Sequence, residues 1–262
     1  MAQVTEYKPG TFCWLELATT DSAGAKKFYT ELFGWAAIDV PAGPGMIYTM
    51  LQLNGQNIGA LYQMGDREKG LPPHWASYVS VANADESAEK ARSLGGAVVM
   101  APFDVMDIGR MSLIADPTGA TFSLWQAGKS IGATVVNQPG APTWNELSTT
   151  DTKAAGDFYT KLFGWTSEEM NMGPAGQYTI FKNGDRGAGG MYKITPEMGG
   201  MPPMWWGYFA VEDCDSTAAR VTELGGVVME QPKDIPGVGR FAIIQDLQGT
   251  GVAFIKLNNP EL

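Results

Sequence analysis

Trp14-Leu-Glu-Leu-Ala-Thr-Thr-Asp21 returns later in the chain as Trp144-Asn-Glu-Leu-Ser-Thr-Thr-Asp151. Shortly after it, Phe28-Tyr-Thr-Glu-Leu-Phe-Gly-Trp35 returns as Phe158-Tyr-Thr-Lys-Leu-Phe-Gly-Trp165. Both pairs are offset by 130 residues, and the offset persists at Pro72-Pro73 and Pro202-Pro203, at Gly109-Arg110 and Gly239-Arg240, and at Asp116 and Asp246. A constant offset over a whole copy leaves almost no room for insertion or deletion, so the chain is a tandem duplication. The join falls in residues 128–142, which hold Gly132, Pro139, Gly140 and Pro142 and read as a linker. The expected domains are residues 1–127 and 143–262.

Each copy divides once more. Asp21 can cap a helix whose apolar residues Ala25, Phe28, Tyr29, Leu32 and Phe33 follow at helical spacing. Gly34 ends it in the left-handed conformation. Strands follow over Ile47–Leu53 and Ile58–Gln63, joined by an Asn54-Gly55 turn. The second cycle has a strand over Trp75–Val81, a helix over Asp85–Leu94, and strands near Val98, Met111–Ile114 and Thr121–Trp125. Asp116-Pro-Thr-Gly119 turns between the last two. The recurring unit is strand–helix–strand–strand–strand, and the chain holds four. Phe28, Tyr29, Phe33 and their copies read as helix-face core.

Composition narrows the function. The chain has 262 residues, 44% apolar and 18% charged, with a formal net charge of −10 and no run of Lys or Arg. Nucleic acid and anionic membrane surfaces need clustered cations, so neither is expected as a partner. No stretch reaches the roughly 18 apolar residues of a membrane span, and the start lacks a signal-peptide pattern. Cys13 and Cys214 occupy non-equivalent places in the two copies, which suits free thiols in a cytoplasmic protein. No phosphate-cradling loop or nucleophile elbow is present, and one histidine cannot serve a triad in both copies.

Four such units, the Phe-Tyr-x-x-Leu-Phe-Gly-Trp helix end and the Asp-Pro-x-Gly turn together resemble the vicinal-oxygen-chelate (glyoxalase/bleomycin-resistance/dioxygenase) superfamily. The resemblance runs from about Phe12 to Leu257. It implies an α+β fold in which four βαβββ units form two domains, each an open cup-shaped mixed sheet with helices outside. It also implies metal-ligand positions, which fall here on Trp14, Ala76 and Ser123 in the first copy and on Trp144, Trp206 and Ala253 in the second. None of these side chains holds a divalent cation well. The expectation is therefore no metal and no cofactor.

Strand alternation places Glu16 and Glu146 on the same face as Trp14 and Trp144, toward the cup. A carboxylate in an aromatic recess would have a raised pKa and could serve as acid, base or hydrogen-bond acceptor. The alternative is a structural ion pair with Arg110 or Arg240. His74 stands on the cup side of its strand, two residues from the implied ligand position at Ala76, as a ligand or base or as a structural or surface residue. Trp14, Tyr78 and Trp125, with Trp144, Trp206 and Tyr208, would either line a recess for a flat organic ligand or fill it as core. The leading expectation is a monomer or homodimer binding a small hydrophobic or aromatic molecule without a metal, in resistance or stress response. The competing ones are a glyoxalase-type lyase or isomerase using Glu16, Glu146 or His74, and a protein-interaction role with both cups filled.

Overall fold

A computed structural model of the chain describes residues 3–173 and 176–259. The outer ends of the expected domains, residues 1–2 and 260–262, lie outside them. The first unit is β1 (Phe12–Thr19), α1 (Ser22–Phe33), β2 (Ala36–Gly43), β3 (Met46–Leu53) and β4 (Gln56–Gln63). The second is β5 (His74–Ser80), α2 (Ala84–Ser93), β6 (Ala97–Val105), β7 (Gly109–Ala115) and β8 (Thr121–Ala127). The third is β9 (Pro142–Thr149), α3 (Thr152–Phe163), β10 (Thr166–Asn171), β11 (Gln177–Asn183) and β12 (Arg186–Lys193). The fourth is β13 (Met204–Ala210), α4 (Cys214–Glu223), β14 (Val227–Ile235), β15 (Gly239–Gln245) and β16 (Gly251–Leu257).

Local chemistry sets the helix ends. The Asp21 side chain accepts from Gly24 N, and Gly34 closes α1 at φ 71°. Asp151 and Gly164 repeat this in α3. The α2 cap is Asn83, whose side chain accepts from Asp85 N and Glu86 N, so this helix starts at Ala84 rather than Asp85. Strand β2 was not marked out by pattern, because Ala36, Ala37, Asp39, Pro41 and Gly43 dilute its alternation. It is an edge strand, where proline costs no ladder bond.

Each copy closes one eight-stranded sheet, in the order β2-β3-β4-β1-β5-β8-β7-β6 and β10-β11-β12-β9-β13-β16-β15-β14. In the first sheet, β1 pairs in parallel with β4 and antiparallel with β5, which joins the two units edge to edge. This is the α+β, open-sheet architecture expected from the sequence. Glu16, Trp14 and Tyr78 stand on the concave face. Leu15 and Leu17 stand on the convex face, buried against α1 residues Phe28 and Tyr29.

The helices lie outside the cups, each with one face exposed and the other buried, because the convex faces of the two copies pack together. One core joins unit one to unit four through Phe28, Tyr29, Trp35, Phe209, Val221 and Phe254. The other joins unit two to unit three through Phe122, Leu124, Phe158, Tyr159 and Trp165, with Trp205 of unit four packed into it. At the centre, Leu15 fits against Gly207, where an added Cβ would come within 2.8 Å of Leu15 Cδ1. At the equivalent crossing, Ser77 Oγ donates to Asn145 Oδ1 at 2.8 Å.

Two buried chains of hydrogen bonds cross this interface. Trp75 Nε1 donates to Tyr29 Oη at 3.1 Å, and Tyr29 donates to Asp246 Oδ2 at 3.0 Å. Trp205, Tyr159 and Asp116 repeat the chain at 2.8 and 3.0 Å. The segment between the copies runs along both: Ala133 N donates to Cys13 O, Thr134 N to Asn57 O, and Gly140 N to Ala210 O. No helix among the described residues is long and apolar enough to cross a membrane. Cys13 and Cys214 are buried free thiols.

Candidate functional site

The central feature of each cup is a carboxylate held by two tyrosines. Glu16 projects from the middle of β1, and its Oε1 accepts from Tyr78 Oη at 2.7 Å. Its Oε2 accepts from Tyr48 Oη at 2.5 Å, and Tyr48 in turn accepts from Trp14 Nε1 at 3.1 Å. In the second cup, Glu146 Oε1 accepts from Tyr208 at 2.8 Å and Oε2 from Tyr178 at 2.7 Å. Trp144 Nε1 donates to Tyr178 Oη at 3.1 Å. Every hydrogen in these chains points toward the carboxylate.

Register explains the assembly. Trp14 lies opposite Tyr78 and Glu16 opposite Ala76 across β1 and β5. Tyr48 reaches the same floor from β3, two strands away, because β4 lies between β3 and β1. Tyr48 and Tyr178 were not singled out by sequence, although the signal was present: each is a tyrosine kept at the 130-residue offset.

The structure brings Trp14, Glu16 and Tyr78 together, and likewise Trp144, Glu146 and Tyr208. Trp125 meets the Tyr78 ring edge-on at 6.3 Å, but its indole N–H goes to Ser130 O at 2.9 Å. Trp206 lies opposite Glu146, with its N–H on Ser148 Oγ at 3.2 Å. His74 is paired with Ala18 on the cup side of β5, and its Nδ1 lies 3.0 Å from Pro72 O.

The ion-pair alternative for the glutamates is corrected. Arg110 binds Asp85 at 2.7 Å and Asp104 at 2.9 Å, and Arg240 binds Asp215 and Asp234 at 2.8 and 3.1 Å. Both arginines are occupied on the side of the sheet where α2 and α4 begin, and among the described residues no arginine or lysine pairs with either glutamate.

Burial pushes the Glu16 carboxyl above the usual carboxylate range, against the pull of the Tyr48 and Tyr78 hydroxyls and of His74, with Glu68 adding to the rise. Glu146 is raised by burial against Tyr178 and Tyr208. Trp14, Glu16 and Tyr48 are nevertheless only half-buried, and so are Trp144, Glu146 and Tyr178, so the floor of each cup still meets solvent. A raised carboxyl in the folded state binds a proton that the unfolded chain has released. Its stabilising contribution is complete below the unfolded value near about 4.3 and is lost as pH rises through the folded value. A Glu16→Gln/Glu146→Gln variant lacks this loss. Its melting temperature is expected to gain on the wild type steadily as pH is raised from about 4 toward neutrality. Scanning calorimetry across that range checks it. Parallel pH profiles would contradict the shift.

The donor set does not fit a divalent cation. The implied ligand positions carry three indoles, two methyl groups and one hydroxyl, that of Ser123, buried beside Tyr78. Each oxygen of Glu16 and Glu146 accepts from one tyrosine hydroxyl, a lone carboxylate in each cup falls short of the three ligands a catalytic metal needs, and among the described residues no three His, Cys, Asp or Glu side chains gather as a metal site.

The family model for the glyoxalase/bleomycin resistance protein/dioxygenase superfamily matches residues 11–124 and 132–254. The chain belongs to this superfamily. CFP32 of Mycobacterium tuberculosis, which carries a provisional glyoxylase name, is 44% identical over 258 residues, covering 98% of each chain. The anthracycline biosynthesis protein DnrV of Streptomyces peucetius is 34% identical, over 97% of this chain and 96% of its own. Among solved structures, the Mn(II)-bound glyoxalase of Novosphingobium aromaticivorans superposes with a TM-score of 0.67 at 13% identity, covering 95% of this chain and 82% of that one. This last likeness concerns the superfamily fold alone.

Proposed function

We propose that this superfamily member binds a small, flat, largely apolar molecule in a sheet cup, with the tyrosine-held glutamate as its polar anchor and no metal ion. The observation that carries the reading is the Glu16–Tyr48–Tyr78–Trp14 cluster. A carboxylate offers about four acceptor positions, and the two tyrosines use two of them. A ligand hydroxyl can take a third, while the indole and phenol rings give its body an apolar, flat-sided seat. The resemblance to DnrV supports a fused-ring aromatic ligand class, since that protein is named for anthracycline biosynthesis. A cytoplasmic location fits the two free thiols.

The test is a titration with β-naphthol, a planar aromatic with a single hydroxyl. Saturable binding is expected, with the same Kd before and after EDTA treatment and after addition of Zn²⁺, Ni²⁺ or Mn²⁺. Binding that EDTA abolishes and metal restores would overturn the reading.

A second reading, a glyoxalase-type lyase or isomerase, is favoured by the name of CFP32 and by the burial that raises the Glu16 carboxyl above the usual carboxylate range. In it, Glu16 moves a proton on a bound substrate while Tyr48 and Tyr78 fix its orientation. Turnover of the methylglyoxal–glutathione adduct, lost in Glu16→Gln, is its expected result. Absence of turnover with and without added Zn²⁺ or Ni²⁺ sinks it.

A further inference from the structure

We infer that the two cups have diverged, so that the first takes the ligand and Trp206 occupies the corresponding space in the second; this rests on the binding reading above. Glu16 lies opposite Ala76, whereas Glu146 lies opposite Trp206. That indole is only 6% exposed. It donates to Ser148 Oγ at 3.2 Å, and it lies so near Gly251 that a Cβ there would come within 2.7 Å of its ring. The same three positions in the first copy are Ala76, Ala18 and Thr121. A large ring, the hydroxyl that satisfies its N–H and the glycine that makes room occur together in one copy, and none occurs in the other. An indole fills up to ~250 Å² of contact surface, and here it fills the space beside the carboxylate where a ligand body would lie.

The walls have diverged in the same sense. On the concave face of the first sheet, the edge strands present Ile38 and Val40 on one side and Met100 and Phe103 on the other. They lie in register with Met50 and Tyr48, and with Leu113 and Met111. These four are 39–47% exposed, an unusual allotment of apolar surface to a polar chain. Their second-copy counterparts are Glu168, Met170, Glu230 and Lys233. Three of the four are charged, and they are tied into the pairs Lys182–Glu168 at 2.6 Å and Lys233–Glu230 at 2.8 Å.

At the β4–β5 end the contrast reverses. The first cup has Glu68, bonded by Tyr62, and His74, while the second has Met198 and Met204. The first cup therefore combines apolar walls with an acceptor at the floor and titratable groups at one end. That combination selects a planar, apolar molecule bearing at least one hydroxyl. The second cup combines charged walls with an apolar plug.

Trp14 and Trp144 give each cup its own reporter, since their indole N–H groups bond equivalent tyrosines. In isotope-labelled protein, β-naphthol is expected to shift the Trp14 indole resonance saturably and to leave that of Trp144 in place. Ala76→Trp, which copies the plug into the first cup, is expected to abolish the Trp14 response. Trp206→Ala is expected to make Trp144 respond as well, raising the bound naphthol from one to two per chain. The gain in Trp206→Ala decides the matter even if Ala76→Trp fails to fold. A wild-type response at Trp144, alone or beside Trp14, overturns the divergence while leaving the binding reading intact. A Trp14 response that survives in folded Ala76→Trp, or a silent Trp144 in Trp206→Ala, also overturns it. Silence of both reporters in every variant overturns the binding reading itself.

Discussion

Replacing Asp246 with alanine is expected to lower the unfolding free energy by about 3–5 kcal/mol, a large part of the 5–15 kcal/mol of a typical domain. One oxygen of this buried carboxylate accepts from Gln248 N at 2.9 Å and Thr250 N at 2.8 Å, and the other accepts from Tyr29 of the opposite copy. Truncation leaves two backbone donors and a buried phenol short of an acceptor, each costing about 1–3 kcal/mol before relaxation. The same change at Asp116 removes the mirrored set, with bonds from Thr118 N, Ala120 N and Tyr159. Tyr29→Phe removes the inter-copy bond and the acceptor of the Trp75 indole N–H while keeping the ring, and is expected to cost about 1–3 kcal/mol. Urea unfolding measures all three: a lower midpoint at constant slope is expected. An Asp246→Ala loss below about 1 kcal/mol would show that the Asp–Tyr–Trp chains do not hold the convex faces together.

The second large effect concerns the cup. Glu16→Gln keeps the volume and one acceptor but removes the charge that strengthens a bond from a ligand hydroxyl. Hydrogen bonds to charged groups contribute about 1.5–3 kcal/mol, so β-naphthol binding is expected to weaken by roughly 10- to 100-fold. The methyl ether of β-naphthol cannot donate. It is expected to bind the wild type weakly and Glu16→Gln equally so. Tyr48→Phe is expected to lie between, because one carboxylate oxygen and the Trp14 indole both lose a partner. Calorimetric titration of both compounds checks the ordering. If the ether binds as tightly as the naphthol, the carboxylate is no anchor.

The repeat makes much of this legible in the sequence itself. One constant offset gave two copies, and the capped helices and glycine stops gave their units. Alternation along β1 correctly put Trp14 and Glu16 on one face and Leu15 and Leu17 on the other. What escaped was non-local. Tyr48 belongs to a strand that reaches Glu16 only after β4 has paired in parallel with β1, and no local period encodes that pairing. The back-to-back docking escaped for the same reason: Tyr29 reads as helix-face core, and nothing near it in sequence announces Asp246. Trp125 and Trp206 looked alike as aromatic residues of the cups. Only register separates them, placing Trp206 opposite Glu146 and turning the Trp125 indole toward Ser130.

One measurement bears on the central claim most directly: a crystal structure of the chain with β-naphthol, grown in the presence of Mn²⁺. The expected result is the naphthol hydroxyl within about 2.5–3.0 Å of a Glu16 oxygen, its rings between the apolar edge strands, and no ion held by side chains in either cup. An ion coordinated on either concave face, or naphthol bound away from Glu16, would contradict the account.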